Sequence, residues 1–231
     1  MKTIGLIGGM SWESTALYYR IINREVAERL GGLHSARLLL HSVDFEDVVQ
    51  GQRRGDWDGL GARLADAAVG LQNSGADCVL IATNTMHRVA DAVQAALRVP
   101  LLHIADATAT AITAAGCRRV ALLGTRYTRE QPFYVAHLRR HGIACIVPQD
   151  DDRDALHALI FDELCKGEVA PSARARLQAI VARQVARGAE GVVLGCTELP
   201  LALQAADVAV PLFDTTTLHA LAAVDFALSG A

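Results

Sequence analysis

Short apolar, β-branched runs recur along the chain: "TIGLIG", "ARLLLHSV", "CVLIAT", "PLLHIA", "RVALLG", "ACIVP", "GVVLGC" and "VPLFD". Between them lie longer Ala-rich stretches with helical spacing, such as "WDGLGARLADAAVGLQNSG" and "PSARARLQAIVARQVARG". This alternation predicts βαβ units, hence an α/β fold of mostly parallel sheets flanked by helices. In "NSGAD", "AAGCRR" and "ARGAE" a Gly follows a polar or basic last turn, the expected left-handed C-terminal cap of a helix.

The pattern also repeats. "NSGADCVLIATNT" aligns with "ARGAEGVVLGCTE" at an offset of 113 positions, which puts Gly75-Ala76-Asp77 on Gly188-Ala189-Glu190 and Thr83 on Cys196. "VPLLHIAD" echoes "VPLFDTT", and "TIGLIGGMSWESTALYYRI" echoes "RVALLGTRYTREQPFYVAH", with Gly8 on Gly124 and Tyr18 on Tyr134. Four features in the same order predict two pseudo-symmetric lobes, residues 1–100 plus 212–231 and residues 101–211. In open α/β sheets ligands sit beyond the carboxyl ends of the strands, and Thr83 and Cys196 both stand where a strand gives way to a helix. The expected active site is the interlobe cleft, approached by these two side chains from opposite sides. That is the arrangement a two-base stereochemical inversion needs.

Composition narrows the partners. The chain has 231 residues, 52% of them hydrophobic, enough for a substantial core. Its formal charge of −3, with no run of Lys or Arg, offers no footprint for nucleic acid or an acidic membrane. The partner expected is a small molecule. The apolar run in "MKTIGLIGGMSWES" is too short for a signal peptide, and no segment holds about 20 uncharged apolar residues, so a cytoplasmic location is the expectation. Five widely separated cysteines argue against a disulfide framework and against C-x-x-C motifs. No His, Cys or acidic cluster has metal-ligand spacing, so no metal is expected. "GLIGG" lacks the full dinucleotide fingerprint. Cys78, Cys117, Cys145 and Cys165 are read as structural, His87 as a solvated or capping residue, and "QDDDRD" as a solvated loop or a helix N-terminus.

The stretches "IGLIGGMSWESTALYYRIIN", "QRRGDWD", "TNTMH", "HIADAT", "LLGTRYT" and "LGCTELP" resemble the cofactor-independent aspartate/glutamate racemase family, in its L-aspartate/glutamate-specific and broad-specificity amino-acid racemase branch. Most of that family has a cysteine in each of the two cleft motifs, whereas this chain has Thr83 in the first. The resemblance implies a homodimer that uses no cofactor. It implies that Cys196 removes the α-proton of the L enantiomer and that Thr83 faces the other side of the α-carbon. It further implies that Asn84, Thr85, Thr125 and Thr197 hold the α-carboxylate and amine, with Met10 and Ser11 in the loop after the first strand. Arg53 and Lys166, joined by Gln52, would grip the distal carboxylate. A helix beginning at Cys196 would favour its thiolate.

Two other functions fit parts of this pattern. A one-thiol lyase resembling the arylmalonate decarboxylases would protonate an enolate from one side, but its aryl pocket would be apolar where Arg53 and Lys166 project. A non-catalytic amino-acid-binding protein would bind aspartate or glutamate without exchanging the α-proton.

Overall fold

The computed structural model describes residues 1–124, 132–164 and 169–230. The chain divides into two compact units, Met1–Ile104 with Thr216–Ala231, and Ala105–Thr215.

In the first unit β1 (Ile4–Gly8) pairs in parallel with β2 (Leu38–Ser42) on one side and β3 (Cys78–Ile81) on the other. Both β1 and β3 are buried along their whole length, which is why they read as unbroken apolar runs rather than alternating ones. Pleating sends Ile7, Val79 and Ile81 into one core with Leu64 and Leu71 of α3 (Trp57–Asn73). Ile4, Leu6, Cys78 and Leu80 enter a second core with Tyr18, Ile22 and Val26 of α1 (Trp12–Leu30). The four-residue spacing of Ser14, Tyr18, Ile22 and Val26 is the stripe that makes α1 a helix lying on the sheet. Each fully buried aliphatic side chain of this kind contributes about 1.5–3 kcal/mol. Helix α2 (Phe45–Arg54) and the short α4 (Ala90–Ala96) complete this part of the chain.

The second unit carries β4 (Arg119–Gly124), β5 (Ala144–Ile146), β6 (Gly191–Gly195) and β7 (Leu212–Asp214), all parallel in the order β5-β4-β6-β7. Its helices are α5 (Ile104–Ala114), α6 (Pro132–Arg140), α7 (Asp150–Ala158), α8 (Pro171–Ala186) and the one-turn α9 (Leu199–Ala202). Helix α10 (Thr215–Leu228) then sends Ala220, Ala223 and Val224 into the second core of the first unit. The acidic run opens α7, where Asp152 forms a two-pronged ion pair with Arg183. The α/β architecture of parallel, helix-flanked sheets is the one the periodicity predicts. Among the described residues no helix is long and apolar enough to cross a membrane.

The sequence repeat is a repeat of hydrogen bonds. Ile4 pairs with Cys78 and Val120 with Gly191, the same register in each sheet. The Asp77 carboxylate accepts from the Thr3 N–H at the foot of β1. Glu190 accepts from the Arg118 and Arg119 N–H groups at the foot of β4, which hold its carboxyl below the usual range. Gly75 and Gly188, at φ 99° and 94°, make the left-handed turn that lets the chain leave α3 or α8 and enter the next strand. The strand expected at "PLLHIA" is reduced to a single bridge between Leu101 and Val79. Val79 bonds Pro100 C=O and the Leu102 N–H, and helix α5 then begins at Ile104, too soon for a longer ladder. Its counterpart "VPLFD" runs three residues as β7.

One buried pair differs between the units. Tyr134 donates to the Thr108 hydroxyl (3.2 Å), whereas Tyr18 donates to His219 Nδ1 (2.9 Å). His219 Nε2 in turn donates to the Leu102 carbonyl (2.7 Å), so the ring is a neutral imidazole with both nitrogens engaged. Burial pushes the His219 pKa down to about 4. In the unfolded chain it returns to about 6.5, so between these values the unfolded state binds more protons and stability rises with pH. The His219 contribution is complete above pH 6.5 and is lost as pH falls toward 4, roughly 2 kcal/mol of it by pH 5. Urea denaturation of wild type and His219→Gln checks this: the stability difference between them shrinks by about that amount from pH 7.5 to pH 5. A difference independent of pH would refute it.

Candidate active site

In the first unit, loops at the carboxyl ends of β1 and β3 bring several of the predicted residues together. The turn after β1 is tight because Gly9 has φ 90° and a Cβ there would lie 2.1 Å from the Val43 carbonyl oxygen. Met10 is buried behind it, and Ser11 caps α1 by accepting from the Ser14 N–H. The Thr15 hydroxyl accepts from the Gly9 N–H and donates to the Ser11 carbonyl, closing the turn. Ser14 Oγ donates to the Ala82 carbonyl (3.2 Å), tying this loop to the one after β3.

That second loop carries Thr83, Asn84 and Thr85, and a 3₁₀ turn over Thr85–Val89 follows. Thr83 is half-buried, with its N–H bonded to the Ile81 carbonyl and its own carbonyl bonded to His87 Nδ1 at 2.8 Å. Asn84 is buried and Thr85 half-buried. Gln52, near the end of α2, donates to the Met86 sulfur, which brings it against the same turn. Arg53 is exposed in the last turn of α2. His87, expected as a solvated or capping side chain, is not solvated, being 3% exposed, and its Nε2 accepts from the Ile104 N–H at the start of α5.

In the second unit Cys196 follows β6 directly and is 8% exposed. Its thiol donates to Glu198 Oε2 at 2.8 Å, and the Thr197 hydroxyl donates to the same oxygen at 2.8 Å. The helix expected to begin at Cys196 is instead the single turn of α9, starting three residues later at Leu199. One turn develops little macrodipole, so the immediate electrostatic neighbour of the thiol is a carboxylate. Glu198 is the residue that sequence reasoning passed over, although "GCTE" displays it two positions from the thiol. Register pairs Gly124 with Gly195, so the end of β4 lies beside the strand that delivers Cys196. Thr125 and Lys166, both assigned to substrate binding by resemblance, lie outside the described residues, as does Cys165.

The other described cysteines are held as neutral thiols. Burial pushes Cys78 up to about 12 and Cys145 up to about 11, and desolvation raises Cys117 as well. Away from the loops, Asp106 Oδ1 lies 2.6 Å from His137 Nε2 and 2.8 Å from His141 Nε2, a hydrogen-bonded trio whose facing nitrogens are already committed.

This chemistry can be compared with known proteins. The Asp/Glu/hydantoin racemase family model matches residues 7–223. A candidate Asp/Glu racemase from Yersinia pestis is 50% identical in its crystal structure, with a TM-score of 0.95 over 99% of this chain and 100% of that one. An aspartate racemase homologue from Pyrococcus horikoshii OT3 is 36% identical, with a TM-score of 0.88 over 98% of this chain and 99% of that one. The broad specificity amino-acid racemase RacX of Bacillus subtilis (strain 168) is 24% identical over 96% of each chain. By the extent of the family match and the identity to these structures, the chain belongs to the Asp/Glu/hydantoin racemase family.

Proposed function

We propose that the protein racemises aspartate and glutamate without a cofactor, with Cys196 as the base on the L side and Thr83 as the proton-transfer group for the opposite face. The observation that carries this reading is the Cys196 thiol at the end of β6, held by Glu198, with a hydroxyl at the repeat-related position at the end of β3. The relatives described as a candidate Asp/Glu racemase and as an aspartate racemase homologue support the substrate class.

The difficulty of the reaction is the weak acidity of the α-proton, made worse by the neighbouring carboxylate. A cofactor-free site must meet the developing negative charge with preorganised donors. In this proposal Asn84, Thr85, Thr125 and Thr197 supply them, while Met10 and Ser11 shape the adjoining loop. Gln52, Arg53 and Lys166 bind the distal carboxylate. The reacting form of Cys196 is the thiolate, which takes the α-proton and becomes the thiol. The Thr83 hydroxyl then returns a proton to the other face, directly or through one water, and is itself reprotonated from solvent. A hydroxyl donates a proton readily but is a weak base without an activating partner. The enantiomers have equal free energy in achiral solvent, so kcat/KM for interconversion must match in the two directions. A weak second side therefore slows net inversion without stopping exchange on the Cys196 side. The proposal takes the protein to be a homodimer, as the resemblance implies, in the cytoplasm.

Proton NMR in deuterated buffer tests the reading. L-aspartate or L-glutamate is expected to exchange its α-proton faster than it inverts. Exchange that never exceeds inversion would refute the unequal roles. Binding of either amino acid with no exchange would mark a binding protein, and turnover of an aryl malonate in place of aspartate would mark a lyase.

A further inference from the structure

We propose that His87 is a positioning residue for Thr83: its imidazole fixes the backbone from which the Thr83 hydroxyl projects. The inference rests on the racemase reading above. It starts from a backbone acceptor that regular structure leaves over. Thr83 lies between the end of β3 and the 3₁₀ turn, and its N–H already bonds the Ile81 carbonyl. Its carbonyl, part-buried, has a side-chain donor, His87 Nδ1 at 2.8 Å.

The chemistry of the ring assigns its protons. The Ile104 N–H can only donate, and it points at His87 Nε2 from 3.2 Å, so Nε2 accepts. The proton of the neutral ring therefore sits on Nδ1 and is given to the Thr83 carbonyl. The neighbours hold this orientation: His87 is 3% exposed, with the His103 ring 4.6 Å away edge-on and the His219 ring at 5.5 Å. His219 is itself anchored between Tyr18 and Leu102. A continuous buried array thus runs from Tyr18 to the carbonyl of Thr83. The repeat shows what His87 replaces. The matching position in the other motif is Pro200, and there the Cys196 carbonyl is held by the main chain, accepting from the Leu199 N–H. The carbonyl at the thiol position accepts from the main chain, and the one at the hydroxyl position from an imidazole.

Two substitutions separate the nitrogens. In His87→Asn the side-chain amide nitrogen stands near the position of Nδ1 and can still donate to Thr83. In His87→Gln the amide reaches the Nε2 position, where it can accept from Ile104 but leaves the Thr83 carbonyl without its donor. The readouts are α-proton exchange of L-glutamate, which reports the Cys196 side, and formation of D-glutamate, which needs both sides. A displacement of about 1 Å can cost about 10²-fold in rate. His87→Gln is expected to lower the inversion rate by about that factor while L-side exchange and the KM for L-glutamate stay near wild type; His87→Asn is expected to retain most of the inversion. Equal losses of inversion in both variants, no loss in His87→Gln, or a parallel loss of L-side exchange would each overturn the inference. Absence of exchange in wild type would instead overturn the racemase reading, and exchange without any inversion would remove Thr83, and His87 with it, from the reaction.

Discussion

In Cys196→Ser, α-proton exchange of L-aspartate and L-glutamate falls by about 10³-fold or more, the scale expected when the acid–base group at the reacting carbon is removed. The substitution is small in every other respect. Serine keeps a hydroxyl able to donate to Glu198, occupies slightly less space in a site only 8% exposed, and leaves the Leu199 bond to the residue 196 carbonyl in place. What it removes is the thiolate. A free cysteine is a few per cent ionised at neutral pH, whereas an alcohol is a weak base there unless another group activates it. The carboxylate beside position 196 does not rescue the variant. A hydroxyl gives up its proton to a carboxylate far less readily than a thiol does. Thermal unfolding checks that the variant is folded, and NMR in deuterated buffer reads the exchange. Exchange at the wild-type rate would exclude Cys196 as the base.

Much of this arrangement is written in local patterns. The βαβ alternation and the Gly-Ala-acid turns are short-range signals, and the structure realises them with matched register and matched hydrogen bonds. What escaped the pattern depends on distance in sequence or on the length of an element. His87 looks like a polar residue on a surface turn. Its burial is decided by Ile104, 17 residues later, and by His219 from the far end of the chain. The same holds for Tyr18 and Tyr134, which align in the repeat but meet different partners: His219 lies 201 residues after Tyr18, and Thr108 lies 26 residues before Tyr134. "CTELP" reads as the start of a helix, yet α9 stops after four residues at Leu203, whose backbone is extended. The thiol donates to the Glu198 side chain beside this short turn. "PLLHIA" has strand composition, but a helix start at Ile104 outcompetes the ladder.

The converse substitution, Thr83→Cys, should raise α-proton exchange of D-aspartate and D-glutamate by about 10²–10⁴-fold while L-side exchange stays near wild type. The position can take the change. Thr83 is half-buried, cysteine loses one methyl group, and the backbone bonds to Ile81 and His87 involve no Thr83 side-chain atom. The new thiol differs from Cys196 in two respects: position 83 is half-buried where Cys196 is 8% exposed, and the residue two positions on is Thr85 rather than a carboxylate, so no acidic group stands at the place that Glu198 occupies in the other motif. A thiolate at 83 would therefore form without a like charge two residues away, and its alkylation by iodoacetamide at neutral pH should outpace that of Cys196 in the same protein. Net inversion rises with the D-side rate, because the slower of the two proton transfers limits it. If D-side exchange stays flat in a folded variant whose L-side exchange is intact, residue 83 does not reach the α-carbon, and the protein is a one-sided exchanger built on a two-sided scaffold.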